Sequence, residues 1–508
     1  MKRLFAAIDA GSYELEMKIF EMGGKGGLKE IDHVRRRTDL GDDTFHTGLI
    51  SYSMMDVLCD TLRGFVDVMD TYKVEKYRAY GTSALRETSN TSVVLDQIKL
   101  RTGLDVSVLS NSEQRFLEYK SVALRGESFE KLIAEGTAFV DIGGGSTQVS
   151  LFDGGRLITS VNLHLGILRI RDKLSKLEPD MAHYEKYISE IILNELHIFK
   201  KQYLSNYKIK NIIVIDDYVS SIMKKVGGKK INDVVEASLY MEQFETMRKK
   251  SPYQMASYLG VPEESATLLL PSALIINHIL EATGAVNLWV PGVSLSDGIA
   301  YDYAERNKFI SSPHDFEKDI LSSADFIARR YVSSDTLSGE LVNAALSIFD
   351  GTKRVHGLGK RERLLLQLSS RLRDVGRYVT MSSPAEVSFA IIMGSEIIGI
   401  SHVERKIVAT AVKNSYPNDI SYKVFDSMDF DEDSYRTAVK LTAILRVATG
   451  LSRSTRKSYQ TIKSVIKDRE LVITVSSKDD LVLEKGLFFE RADTFEEVFG
   501  LRPVLKIK

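Results

Sequence analysis

The sequence predicts an α/β protein: two related α/β domains facing each other across a cleft, then a helical domain with a small α+β tail. Three observations predict it. Two segments whose aspartates, Asp9 and Asp141, lie 132 positions apart share one plan of apolar run, Asp, glycine turn, alternating strand, second turn, further strand and Leu-Gly. Helical patterns separate these repeats, as α/β domains require. From about Ser311 the texture changes to long helical periodicity. The repeat period is that of a domain duplication, far longer than a solenoid repeat.

Taken in order, the first repeat opens with the apolar run 4–8, which ends at Asp9 and turns at Ala10-Gly11-Ser12. Leu15, Met17 and Ile19 then alternate with Glu14, Glu16 and Lys18, the period of a half-buried strand. A glycine-rich turn at 23–27 leads to a further strand and to Leu40-Gly41. Residues 54–72 place Val57, Leu58, Leu62, Phe65, Val66 and Met69 on one helical face. Residues 77–90, with Gly81-Thr82-Ser83-Ala84-Leu85-Arg86, read as a strand feeding a helix. The second repeat runs through 138–142 into Gly143-Gly144-Gly145-Ser146-Thr147, alternates Val149 and Leu151 with Gln148 and Ser150, turns at Asp153-Gly154-Gly155 and reaches Leu165-Gly166. Tyr187, Ile188, Ile191, Ile192, Leu196 and Phe199 form a helical face within 180–205. The run 286–290 is a strand followed by a glycine turn and a helix start at Pro291-Gly292-Val293-Ser294-Leu295-Ser296-Asp297-Gly298. Helices are expected over 341–349, 361–371, 387–399 and 403–412, and strands over 470–475 and 481–483. Ser311-Ser312-Pro313 marks a boundary within 307–315.

At about 150 residues per domain, 508 residues make about three domains. Sixty-eight basic against 69 acidic residues give a formal charge of −1, which removes the footprint of a general nucleic-acid binder. Hydrophobic residues at 44% supply sizeable cores, and 34 glycines with 9 prolines are too few for long flexible linkers. The single cysteine, Cys59, excludes an intramolecular disulfide and a cysteine-based zinc site, and reads as a buried helical residue. The apolar run that stops at Asp9 is too short for a signal-peptide core, and no uninterrupted apolar stretch approaches the ~18 residues of a membrane span. A soluble, cytoplasmic protein with no membrane partner is expected.

A strand-end Asp followed by Gly-x-Ser or Gly-Gly-Gly-Ser suits phosphate. Glycines let backbone N–H groups approach phosphate oxygens. Ser12, Ser146 and Thr147 add hydroxyl donors, while Asp9 and Asp141 can hold Mg²⁺ or orient an attacking water. Two such turns in matching contexts point to a polyphosphate or nucleotide clamp. The competing reading of each turn is a hairpin that needs glycine for positive φ; it wins for 23–27, whereas three glycines at 143–145 exceed what a hairpin needs. Arg86, beside Thr82 and Ser83, can fork onto phosphate, against the alternative of a solvated arginine paired with Glu87 or Asp96. Glu113, after Ser110-Asn111-Ser112, is either a general base for water or a first-turn carboxylate favouring the helix dipole.

These motifs together resemble the exopolyphosphatase / guanosine pentaphosphate phosphohydrolase family. The matching pieces are Asp9-Ala10-Gly11-Ser12, Gly81-Thr82-Ser83-Ala84-Leu85-Arg86, Glu113-Gln114, Asp141-Ile142-Gly143-Gly144-Gly145-Ser146-Thr147, Leu165-Gly166 and the 291–298 segment, with likeness extending to Phe499-Gly500. The resemblance implies two actin-like, ribonuclease-H-like domains (1–130 and 131–310), a degenerate HD-like helical domain (311–455) and a small α+β region (456–508). It implies a Mg²⁺-dependent hydrolase that removes terminal phosphate from inorganic polyphosphate or guanosine pentaphosphate. Phosphate binding then falls to Gly11, Ser12, Ser83, Arg86, Gly144, Gly145, Ser146 and Thr147, metal or water orientation to Asp9 and Asp141, and catalysis to Glu113, Gln114 and Asp141.

The chain departs from the family pattern in both halves. Tyr13, Glu14 and Glu16 stand where Asn-Ser and a basic residue are usual, and carboxylates beside a polyanion path are unfavourable unless they point away. The family's Glu-Glu pair, whose second member is its base, reads Glu113-Gln114, and its later Glu reads Gln148. A missing base predicts slow turnover. In the helical half Arg373 takes a histidine slot before Asp374, and the segment 445–453 has lost its aspartates. That domain is expected to bind no catalytic metal, to serve a homodimer or to wall a long anionic ligand, with His356 and His402 as surface or capping residues. A non-catalytic anion sensor is the alternative; an actin-like kinase is disfavoured because the strand 211–215 runs into Asp216-Asp217-Tyr218 with no glycine.

Overall fold

The computed structural model describes residues 3–508 except 24–26, 178–182, 227–232, 313, 332–334, 417–428, 453–459 and 478–480. Pro313, Arg453, the centre of the 23–27 turn and the expected 455/456 boundary lie outside the described residues. The chain forms two compact units, Met1–Asp315 and Phe316–Lys508.

In the first unit, β1 (Arg3–Ala10), β2 (Glu14–Met22), β3 (Leu28–Arg37), β4 (Lys76–Gly81) and β5 (Val106–Val108) make a sheet of order β3-β2-β1-β4-β5. A second sheet has the order β10-β11-β9-β6-β7-β8, from β6 (Thr137–Ile142), β7 (Thr147–Asp153), β8 (Arg156–Leu163), β9 (Asn211–Ile215), β10 (Val235–Glu236) and β11 (Asn287–Trp289). Each sheet has an antiparallel three-strand meander whose first strand pairs in parallel with the strand after the intervening helices. Register repeats too: Asp9 lies opposite Glu16, and Asp141 opposite Gln148. The duplication is therefore structural. The turns behave as their glycines demand: Gly23 N–H donates to Gly27 O at 3.0 Å, and Gly154 and Gly155, both at positive φ, make the two-residue hairpin turn between β7 and β8.

Several expectations need correction. β2 is not half-buried, since Glu16 and Lys18 are 4% and 6% exposed. The face expected to meet water is covered by the helix Leu295–Arg306, whose Leu295, Ile299, Ala300 and Ala304 pack with Phe5, Ala7, Phe20 and Met22. That helix therefore belongs to the first sheet, not to a second domain running from 131 to 310. It crosses the helix Asn111–Ala123 so closely that a Cβ on Gly298 would stand 1.9 Å from the Leu117 carbonyl oxygen. The helix Tyr52–Tyr72 buries Met55, Leu58, Cys59, Leu62, Phe65 and Met69, while Val57 is exposed. Tyr187 is likewise exposed rather than on the buried face of its helix. The helix Ala266–Thr283, with mean hydropathy 1.3, is long and apolar enough to cross a membrane, but 72% of it is buried in the second sheet's core, whose helices cover it on several sides.

The second unit is helical around Asp335–Gly351, Lys360–Leu372, His402–Asn414 and Glu432–Gly450, with a sheet of β12 (Thr461–Lys467), β13 (Glu470–Ser476) and β14 (Arg502–Ile507). Residues 481–483, expected as strand, instead open the helix Val482–Glu490. His356 is fully buried rather than on the surface; its Nε2 meets Phe349 O at 2.9 Å and its Nδ1 accepts from Leu358 N–H at 2.8 Å. Arg373 is buried over the Tyr416 ring, 4.0 Å from its centroid, and paired with Asp374.

Candidate active site

The two glycine turns meet. Gly11 N–H donates to Glu14 O at 3.1 Å, and Gly143 N–H to Ser146 O at 2.9 Å, so each four-residue turn closes the same way. Each is also buttressed by the chain at or just after its Leu-Gly: Gly41 N–H donates to Ser12 O at 2.7 Å, and Leu168 N–H to Gly144 O at 3.0 Å. The close packing explains the glycines. A Cβ on Gly144 would stand 2.9 Å from Leu168 Cδ1, and one on Gly166 would be 2.2 Å from the Gly144 carbonyl oxygen. Asp9 and Asp141 thus face a common cavity of about 440 Å³, lined by both turns.

Most expected phosphate residues line this cavity: Gly11, Ser12, Ser83, Arg86, Gly144, Gly145 and Ser146. Ser12 Oγ lies 2.7 Å from Ser83 Oγ and accepts from Ala84 N–H at 3.0 Å, which ties the first turn to the start of the Ser83–Glu87 helix. Arg86 Nη1 reaches Leu109 O at 2.8 Å and Gln114 Oε1 at 3.3 Å, which turns it toward the cavity. Thr147 does not line the cavity. Its hydroxyl donates to Leu165 O at 2.5 Å, since it sits inside β7 rather than in the turn. Gln148 is also turned away, donating to Ser160 Oγ across β7 and β8 at 2.5 Å.

Glu113 needs correction as a candidate base. It occupies the third position of the helix Asn111–Ala123 and closes a capping box, accepting from Ser110 N–H at 3.0 Å and Ser110 Oγ at 2.6 Å. Gln114, the next residue, does line the cavity.

Four residues absent from the sequence-derived site complete it. Arg115, 3% exposed, forms an ion pair with Asp141 and reaches Glu118 Oε2 at 3.1 Å and Ser146 Oγ at 3.3 Å. Glu118 accepts from Gln114 Nε2 at 3.0 Å. Arg35 holds Glu16, Glu14 and Asp217, and Arg37 lies over the Tyr13 ring at 4.8 Å. The signals existed: Arg35-Arg36-Arg37 immediately precedes the first Leu-Gly region, and Glu118 falls four residues from Gln114, on one helical face.

Burial and like charge set the electrostatics. The cavity is lined by six carboxyls (Asp9, Glu14, Glu118, Asp141, Asp216, Asp217) and four arginines (Arg35, Arg37, Arg86, Arg115). Burial raises the Asp9 pKa well above the carboxylate range, and the Glu16, Glu118 and Glu14 charges raise it further. Its Oδ1 is buried with no hydrogen-bond donor among the described residues. Burial likewise lifts Glu14 to about 7, against the opposing Arg35 charge. Glu16 goes the other way: burial is outweighed by the His33 hydrogen bond, by Arg35 and Lys18 and by the Ser294 hydroxyl, so it stays ionised. Glu16 therefore serves structure, while Glu14 faces the cavity.

The chain matches known protein families over both of its units. The model of the Ppx/GppA phosphatase family matches residues 19–307, and that of Ppx/GppA phosphatase domain III matches residues 322–490. A guanosine-5'-triphosphate,3'-diphosphate pyrophosphatase of Aliivibrio fischeri is 26% identical over 420 residues, covering 81% of this chain and 80% of its own. The protein of that name in Vibrio atlanticus is 21% identical over 407 residues, covering 79% and 78%. A solved exopolyphosphatase from Cytophaga hutchinsonii superposes with a TM-score of 0.52 at 17% identity, covering 60% of this chain and 98% of that one. The Aquifex aeolicus Ppx/GppA member gives 0.50 at 22% identity, covering 60% and 99%, a likeness of fold. With the fold, the paired turns and the family model in agreement, the chain belongs to the Ppx/GppA phosphatase family.

Proposed function

We propose that this chain hydrolyses the terminal phosphate of inorganic polyphosphate or of a guanosine polyphosphate in the cavity between its two sheets. The observation that carries the reading is the meeting of the two glycine turns, with Ser12, Ser83, Ser146 and Arg86 around one cavity. Backbone-lined glycine turns, hydroxyls and a guanidinium are the parts that bind and orient a phosphoryl group, and such positioning supplies most of phosphoryl-transfer catalysis. The names of the Vibrio and Aliivibrio relatives support a guanosine polyphosphate, that of the Cytophaga neighbour polyphosphate.

Six carboxyls line the cavity beside four arginines, so a cation that draws those carboxyls into their ionised form also offsets the charge of an arriving polyanion. The donor set fits Mg²⁺, which binds through one or two carboxylates, substrate phosphates and waters rather than a protein cage. Asp9, whose Oδ1 lacks a donor, would hold it; Asp141, expected to share that task, is engaged by Arg115. When bound, the ion neutralises charge on the phosphate oxygens. Ser12 and Ser83 then orient the terminal group, Arg86 neutralises its oxygens, and Gln114 Oε1, beside Arg86, positions a water as an acceptor.

A second reading, an anion sensor without turnover, is favoured by one observation, the amide at Gln114 in the cavity. Gln148 carries no weight for it, because its side chain is spent within the sheet. Phosphate release from polyphosphate and guanosine pentaphosphate, with and without Mg²⁺, decides. Mg²⁺-dependent release is expected, whereas tight binding of both without release selects the sensor.

A further inference from the structure

Within the hydrolase reading, water attack needs an acceptor for the water's proton, and Gln114 cannot take one at neutral pH. The carboxyls at the cavity are mostly committed. Asp141 is paired with Arg115, and Glu14 and Asp217 with Arg35. Asp216 caps a helix through Val219 N–H at 2.6 Å. Asp9 is the carboxylate that suits the ion, and Glu113 caps its own helix outside the cavity. Glu118 remains.

We propose that Glu118 takes the place of the base lost at Gln114: its carboxylate, one helical turn further along the same face and hydrogen-bonded to the Gln114 amide, receives the proton of the attacking water. The spacing of four residues puts both side chains on one side of the helix Asn111–Ala123. Gln114 Nε2 donates to Glu118 Oε1 at 3.0 Å, which turns Gln114 Oε1 toward Arg86. Gln114 and Glu118 both line the cavity, so the amide and the carboxylate face the space that an attacking water would fill. Arg115 Nη1 holds the other oxygen, Oε2, at 3.1 Å and fixes its direction. Each carboxylate oxygen accepts more than one hydrogen bond, so capacity for the water remains. Burial favours the neutral acid, which eases acceptance of the proton, while Arg115 and Gln114 oppose it.

In the step, the water oxygen bonds to the terminal phosphorus. The bridging P–O bond breaks, its electron pair staying on the shortened chain's oxygen, and the water's proton passes to Glu118 and later to solvent. No further reactant is needed.

The test is a base swap read as kcat and KM for Mg²⁺-dependent phosphate release from polyphosphate, with polyphosphate binding measured alongside. Glu118→Gln is expected to lower kcat by ~10²–10⁴ with KM changed only a few-fold, the usual worth of general-base help. The double variant Gln114→Glu/Glu118→Gln, which moves the carboxylate one turn back, is expected to recover at least about tenfold of that loss. Glu118→Asp keeps the charge beside Arg115 but withdraws the oxygens; it serves where Glu118→Gln does not fold, and its kcat is expected to fall about tenfold or more. Unchanged kcat in either single variant, a loss confined to KM, or no recovery in the double variant overturns the proposal alone. Absence of release by the wild-type chain with binding intact overturns both this proposal and the hydrolase reading.

Discussion

Asp216 shows how one buried group ties stability to pH. It caps the helix Asp217–Met223 and accepts from Ser272 Oγ at 2.8 Å, yet burial lifts its pKa from 3.8 to about 7. Because the folded pKa lies above the unfolded one, the folded state binds the extra proton, and stability falls as pH rises from about 4 to about 7. Glu16 has the opposite sign, its contribution being lost as pH falls below the unfolded value of 4.5. Asp216→Asn keeps an oxygen for the cap and removes the titration. We expect the wild type to lose on the order of 1 kcal/mol per pH unit between pH 5 and 7 from this group, and the variant to lose less. Denaturant midpoints at pH 5 and 8 measure it; equal losses in both chains refute it. Residue identity alone gave neither sign, because Glu14 and Glu16 stand two apart on one strand and titrate in opposite directions.

At the scale of elements, the helix Asn111–Ala123 is placed by two local devices. The Ser110–Glu113 capping box fixes where it starts, and Gly298 lets the helix Leu295–Arg306 press on its Leu117 backbone. Gly298→Ala forces a Cβ into a carbonyl 1.9 Å away, so one helix must shift. Such overpacking costs ~1–3 kcal/mol and displaces Gln114 and Glu118 together. We expect a lower thermal midpoint and reduced phosphate release; a stable, fully active Gly298→Ala protein contradicts the packing described. The cap was legible in the sequence because Ser-x-x-Glu is local. The crossing was not, because Gly298 and Leu117 lie far apart along the chain, and the same crossing buries the face of β2 that alternation assigns to water.

For the first unit as a whole, the two sheets are joined by charge pairs between the helices Leu40–Thr47 and Ser83–Glu87 on one side and Ile167–Leu177 on the other. Arg169 binds Glu87 and also donates to Gly145 O at 2.6 Å, Arg171 binds Asp42, and His46 lies 2.6 Å from Asp172. Partly exposed pairs of this kind contribute ~0–1 kcal/mol each, so they bias closure more than they hold the fold. The Asp42→Asn/Glu87→Gln variant is expected to keep its thermal midpoint within a few degrees while amide exchange rises over 40–47 and 167–177. Unchanged exchange there argues that apolar packing alone keeps the turns together.

The duplication, the two glycine turns and the family are legible along the chain, because they rest on local patterns: a strand-ending Asp, glycines that admit close backbone approach, and a repeated Leu-Gly. The sequence also marked Arg86 and Ser12 for the cavity. Which carboxylates face that cavity is set by long-range packing. Glu113 is spent on its own helix cap, Thr147 and Gln148 are turned into the sheet, and Arg115 neutralises Asp141. The physical reason is that a side chain's role depends on which partners cross-chain packing brings within hydrogen-bond reach. Arg115 meets Asp141 and Ser146 only once the first domain's helix is laid against the second domain's turn.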